Sequence, residues 1–158
     1  MAIAVTPSVI NKISLSEQTG FFPSVTTIPA TVNAGGTTVL LTVAHCGTVI
    51  RINKNATLQV ITIPSAASCP GANLKFVQQN AAAAGIITIQ SPTATSVMGA
   101  WTQTTDGTIV PSLYGAAITK FNFLAVSLQG DYADFVSDGT SWVVNGVTNV
   151  ANGMAFAA

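Results

Sequence analysis

Ionised side chains are what this sequence has least of. Asp, Glu, Lys and Arg together make up 6% of its 158 residues, against about 25% in an ordinary soluble domain. Acids and bases balance at five each, so the net charge is zero, and mean hydropathy is +0.55. Repulsion between like charges normally keeps copies of a soluble monomer apart. This chain has almost none to use. Its cations, Lys12, Arg51, Lys54, Lys75 and Lys120, stand singly along the sequence. Neutralising a phosphate backbone takes clustered cations, so nucleic acid is not an expected partner. The two cysteines, Cys46 and Cys69, are too few for a disulfide framework or a four-cysteine zinc site. Both are expected to be reduced thiols.

Long apolar runs are missing as well. A spanning helix needs about 20 mostly apolar residues in a row. Val39 to Leu41 and Ala81 to Ile87 are far shorter and are flanked by Thr, Gln and Asn. Met1 to Ile10 has no cationic start, and Pro7 and Ser8 interrupt its apolar stretch, so no export signal is expected. An exported membrane barrel should carry such a signal. A membrane barrel stays conceivable, but the preferred expectation is that other protein covers the weakly charged surface, in an assembly built inside a cytoplasm.

Helix formers are scarce, while Val, Ile, Thr and Phe recur in short runs separated by Gly, Pro, Asn and Ser. That pattern predicts many short strands in a sandwich or barrel. Residues 1–36 hold Pro7, Pro23, Pro29 and the Gly35-Gly36 pair, with Ile10, Phe21 and Phe22 between them. They are expected to form an extended N-terminal arm, or a first strand with irregular approaches. Residues 37–158 would form the sandwich itself. Strands are predicted at Thr38 to Val43, Thr48 to Asn53, Leu58 to Ile63, Leu74 to Gln78 and Ile86 to Ile89. The longest is expected at Ile118 to Leu128, where the apolar phase flips after Phe123; a bulge or burial on both faces would allow the flip. Asp138-Gly139 and Asn145-Gly146 are the strongest hairpin turns in the chain. About eight such strands predict an all-β, jelly-roll-like antiparallel β-sandwich. The Gly- and Thr-rich stretch from Ser91 to Gly115 is expected to be a long exposed connection.

Several segments in order resemble a β-module of virion proteins in tailed phages and other large viruses. They are Gly47-Thr-Val-Ile-Arg-Ile-Asn53, Val60-Ile-Thr-Ile-Pro64, Pro70-Gly-Ala-Asn-Leu-Lys-Phe-Val77, Gly85-Ile-Ile-Thr-Ile89 and Gly130-Asp-Tyr-Ala-Asp-Phe-Val-Ser-Asp-Gly-Thr-Ser-Trp-Val-Val144. No one segment is specific; the ordered set, spanning residues 45–146, carries the resemblance. It implies a sandwich fold, a homotrimer, no cofactor, and a place on the capsid surface as a decoration or cement protein contacting the major capsid protein or other virion proteins. The chain has no heptad or collagen-like repeat, unlike long fibres. In this reading the arm anchors the trimer, with Phe21 and Phe22 as the anchoring contacts. The alternative is a receptor- or glycan-binding knob of a fibre or spike, with Trp101 and Tyr114 as the receptor contacts, and beyond it an unrelated hydrolase or sugar-binding module.

Catalytic and metal chemistry have few candidates. His45 and Cys46 are neighbours that would point to opposite faces of a strand, and no third group is indicated to orient His45 against Cys69. A buried thiol and a strand-end imidazole are the preferred account, so the chain is not expected to be an enzyme. Asp131, Asp134 and Asp138 make the one acidic cluster. A calcium site needs six to eight oxygens, and turn chemistry at Gly130 and Gly139 accounts for two of these residues more simply. Phosphate-loop, nicotinamide and zinc spacings do not occur.

Overall fold

The computed structural model describes residues 25–28, 38–80, 84–92, 96–111 and 118–158. Phe21, Phe22 and Tyr114 lie outside them. The described strands are β1 (Val25–Ile28), β2 (Val39–Leu40), β3 (Thr48–Ile52), β4 (Gln59–Thr62), β5 (Asn73–Gln78), β6 (Ile87–Gln90), β7 (Val97–Gln103), β8 (Ile109–Pro111), β9 (Lys120–Phe123), β10 (Tyr132–Ser137), β11 (Trp142–Thr148) and β12 (Met154–Ala157). They form two packed sheets, one of seven strands in the order β1-β3-β5-β10-β11-β7-β8 and one of five in the order β12-β9-β6-β4-β2. The all-β sandwich is as the composition predicts.

The pairing inside it is mixed, not the antiparallel pairing of a jelly roll. From β1 to β6 the chain alternates between the sheets, so each return to a sheet lays a strand parallel to the one before it. Val25 lies opposite Val49, Val49 opposite Lys75, Val39 opposite Ile61, and Ile61 opposite Ile89. Parallel neighbours need a crossover of roughly a dozen residues or more, usually a helix. Here a strand of the opposite sheet serves instead. Past β6 the path reverses: β9 runs antiparallel to β6, and β10 antiparallel to β5. β11 and β12 turn back alongside β10 and β9, and β7 joins β11 in parallel.

The core is what this register stacks between the sheets. Ile50, Phe76, Ala133, Gly146 and Trp101 follow one another across the larger sheet. Ile61, Ile89, Phe121 and Phe156 do so across the smaller. Phe121 is fully buried and meets the rings of Trp101, Phe123, Phe135 and Phe156 edge-on, at centroid distances of 6.3, 5.9, 5.8 and 5.1 Å. Edge-on contact sets the positive rim of one ring against the negative face of another. Trp142 is fully buried, and its indole N–H donates to the Pro64 carbonyl at 2.9 Å.

Three local expectations are corrected. The flip after Phe123 is neither a bulge nor a doubly buried strand: β9 ends there, and 124–131 carries the chain to the other sheet as a loop. Asn145-Gly146 is not a turn but the middle of β11. Ser91 to Gly115 is not one long connection, because β7 and β8 form within it. Within the expected arm, Val25–Ile28 is a strand on the edge of the larger sheet; the rest of residues 1–36 lies outside the described residues.

Candidate functional site: the outer face of the seven-stranded sheet

Alternation along β10 sends Ala133, Phe135 and Ser137 inward and Tyr132, Asp134 and Val136 outward. On β11 the outward residues are Val143, Asn145 and Val147. Pairing extends these positions into rows across the sheet. One row runs Asn73, Val136, Val143, Met98; a second runs Lys75, Asp134, Asn145, Ala100; a third runs Arg51, Val77, Tyr132, Val147, Thr102, Ile109. A one-sided sheet ordinarily shows polar residues to water. Here Val136, Val143 and Ile109 are exposed at 48%, 41% and 66%, with Met98, Val77 and Val147 half-buried beside them.

One ion pair lies within this face. Lys75 Nζ is 3.3 Å from Asp134 Oδ2 and 4.2 Å from the centroid of the Tyr132 ring. The pair neutralises itself, which leaves Arg51, at the edge of the third row, as the other charge on these rows. At the end of the third row a shallow cavity of about 330 Å³ is lined by Arg51, Val77, Gln78, Gln79, Gln129 and Gly130. The Gln78 amide is already committed inward: it donates to Asn80 O and Ser127 O, at 3.1 and 2.9 Å, and accepts from the Ser127 hydroxyl.

Of the residues weighed for chemistry, Asp134 lies on this face and the others lie off it. His45 Nδ1 accepts the Thr42 backbone N–H at 3.1 Å, within a short 3-10 turn. Burial, and then the neighbouring Cys69 thiol, push the Cys46 thiol up to about 11, away from the easily ionised thiol a nucleophile needs. The acidic cluster is dispersed. Asp131 is buried, Asp134 pairs with Lys75, and Asp138 Oδ1 accepts the Thr140 and Ser141 N–H groups at 2.7 and 2.6 Å. These last bonds hold the Asp138 carboxyl below its usual range. Among the described residues no group of three or more His, Cys, Asp or Glu is placed to hold a metal ion.

Trp101 requires a correction. It is 7% exposed, with its ring centroid 5.4 Å from that of Phe156. It faces the core because strand alternation aligns it with Gly146 and Ala133, so it presents no platform to a sugar. Sequence reasoning did not single out Val136, Val143, Met98 or Ile109. The available signal was adjacent apolar pairs, Phe135-Val136 and Val143-Val144, which mark strands apolar on both faces.

No family model, curated protein or solved structure matches this chain. The outer face exposes Val136, Val143 and Ile109, and contiguous apolar surface of this kind marks sites of interaction.

Proposed function

We propose that the protein is a virion structural protein, a capsid decoration or cement protein that self-associates and docks through the outer face of its seven-stranded sheet. The observation that carries this reading is the row of exposed Val136 and Val143 with Met98 beside them, in a chain with only 6% charged residues. Large apolar patches on a soluble protein mark sites of interaction. A standard interface buries about 1,600 Å², and at roughly 25 cal/mol per Å² of apolar area even part of it offsets the cost of association. Symmetry on a shell repeats each contact, so a modest contact suffices. The segments that resemble the virion module fold here as β3, β4, β5, β6 and the β10–β11 hairpin, and the resemblance is what supports a trimer and a capsid location. The receptor-knob alternative loses Trp101 as a platform.

The test uses Val136→Lys/Val143→Glu, opposite charges at directly paired positions, expected to leave the melting temperature nearly unchanged. Wild-type protein should sediment as an oligomer and co-pellet with undecorated shells of its own virus at fixed stoichiometry. The double variant should sediment as a monomer and stay in the supernatant. A wild-type protein that remains monomeric and ignores the shells would end this reading.

A further inference from the structure

Cys46 and Cys69 occupy equivalent places in successive turns of the chain. Each closes a one-turn 3-10 segment, Val43–His45 or Ala66–Ser68, and each donates its backbone N–H to the first carbonyl of that turn, Val43 O at 3.1 Å and Ala66 O at 3.2 Å. The turns lead into β3 and β5, which are parallel neighbours with Thr48 opposite Leu74. One further bond links the two approaches at the end of that ladder, Gly47 N–H to Asn73 O at 2.7 Å, and Ala72 N–H to Cys69 O at 3.1 Å folds the second approach back on itself. Continued by two residues, the register sets Cys46 opposite Ala72, at a strand spacing of about 4.8 Å, and the bond from Ala72 N–H returns the chain to Cys69; a disulfide spans about 4.4–6.8 Å between Cα atoms. The Cys46 side chain packs against the buried cluster that includes Cys69, the Cys69 thiol acts on that of Cys46, and both are free.

We propose that Cys46 and Cys69 are a redox modification site, a dithiol that a soluble disulfide closes into one intramolecular disulfide. Cys69 is only 6% exposed, with its Sγ 3.2 Å from Ser65 O, whereas Cys46 is half-buried and is the sulfur a reagent reaches first. In mildly alkaline buffer the small share of Cys46 present as thiolate attacks oxidised glutathione, slowly because burial disfavours the ionised thiol, forming a mixed disulfide and releasing one glutathione thiolate. The Cys69 thiolate then attacks the Cys46 sulfur and displaces the second. One S–S bond is broken and one is formed, two electrons pass to glutathione, and the two thiol protons are taken up by the released thiolates. The new bond ties the approach to β3 to the approach to β5, around the excursion through β4.

The test equilibrates the full chain in a mildly alkaline glutathione redox buffer, folded and in urea, followed by acid quench, alkylation and trypsin. Cleavage after Arg51 and Lys54 parts Cys46 from Cys69, so the disulfide holds two peptides together until reduced. In the folded protein the ratio of intramolecular to mixed disulfide should exceed that in urea by at least about tenfold. Cys69→Ser should stop at the mixed disulfide on Cys46. Equal ratios in the two solvents, or bonds forming chiefly between chains, would overturn the proposal.

Discussion

Buried charge is concentrated around one loop. Asp131 is fully buried and accepts four hydrogen bonds: Leu128 N–H and Thr148 Oγ1–H on Oδ2, at 2.9 and 2.8 Å, and Asn149 N–H and Nδ2–H on Oδ1, at 2.8 and 3.0 Å. Lys54 is 2% exposed, and its Nζ donates into the same loop, to the carbonyls of Leu124, Ala125 and Ser127, each at 2.9 Å. Burial holds the Lys54 amine below its ordinary value, while the Asp131 charge acts in the opposite direction. The two ions together fix the segment 124–131 that transfers the chain between sheets. Removing a buried partner of this kind costs far more than removing an exposed one. Asp131→Ala is expected to lower unfolding stability by about 3 kcal/mol. Asp134→Ala, whose pair with Lys75 is more than a third exposed, should lose less than about 1 kcal/mol. Urea denaturation of both variants measures the contrast, and similar losses would contradict it. The sequence groups Asp131 with Asp134 and Asp138, but neighbours in number serve different ends here. Nothing local marks Lys54 either, since the carbonyls it meets lie some 70 residues further along.

At the scale of the element, some strands were legible from their own residues and others were not. β3 and β5 show the alternation of inward Ile50, Ile52, Leu74 and Phe76 that sequence foresees, and Asp138-Gly139 turns where expected, with Gly139 at φ +89°. β7 was hidden because its Val97-Met-Gly-Ala-Trp-Thr-Gln103 lacks clean alternation and its parallel partner β11 lies about forty residues away. Gly99 adopts φ +136°, and a Cβ there would run into Val144 O; the ladder is built around a residue that weakens a strand by propensity. Asn145-Gly146 misleads for a related reason. A Cβ on Gly146 would meet Trp101 Cβ at 2.9 Å, Met154 Sδ at 3.0 Å and Phe121 Cζ at 3.1 Å. The glycine is there to let the two sheets close, not to turn the chain. Gly146→Ala should therefore cost about 2 kcal/mol through overpacking and shift the Trp fluorescence, while Asn145→Thr, outward and exposed on the same strand, should be nearly neutral. A turn role for the pair would reverse that order, since the Asn would then matter too.

For the whole molecule, the force that would hold copies together follows from what the surface is made of. If the outer face of the larger sheet joins one copy to the next, the gain comes from apolar area around Val136 and Val143, while the ion pair on that face, Lys75 with Asp134, is satisfied within one chain. Salt screens attraction between exposed charges over about 10 Å at 0.1 M, but leaves apolar burial intact, and sulfate strengthens it. Self-association measured by sedimentation velocity should thus change less than about threefold in Kd between roughly 0.05 and 0.5 M sodium chloride. It should tighten in sodium sulfate and loosen on cooling, as entropy-driven burial does near room temperature. An interface assembled instead through Arg51 or an opened Lys75–Asp134 pair would weaken steeply as chloride rises and respond little to cold. The two origins of cohesion thus separate in one titration, and a steep loss with salt would move the contact off the valine rows and onto the edge where Arg51 lines the shallow cavity.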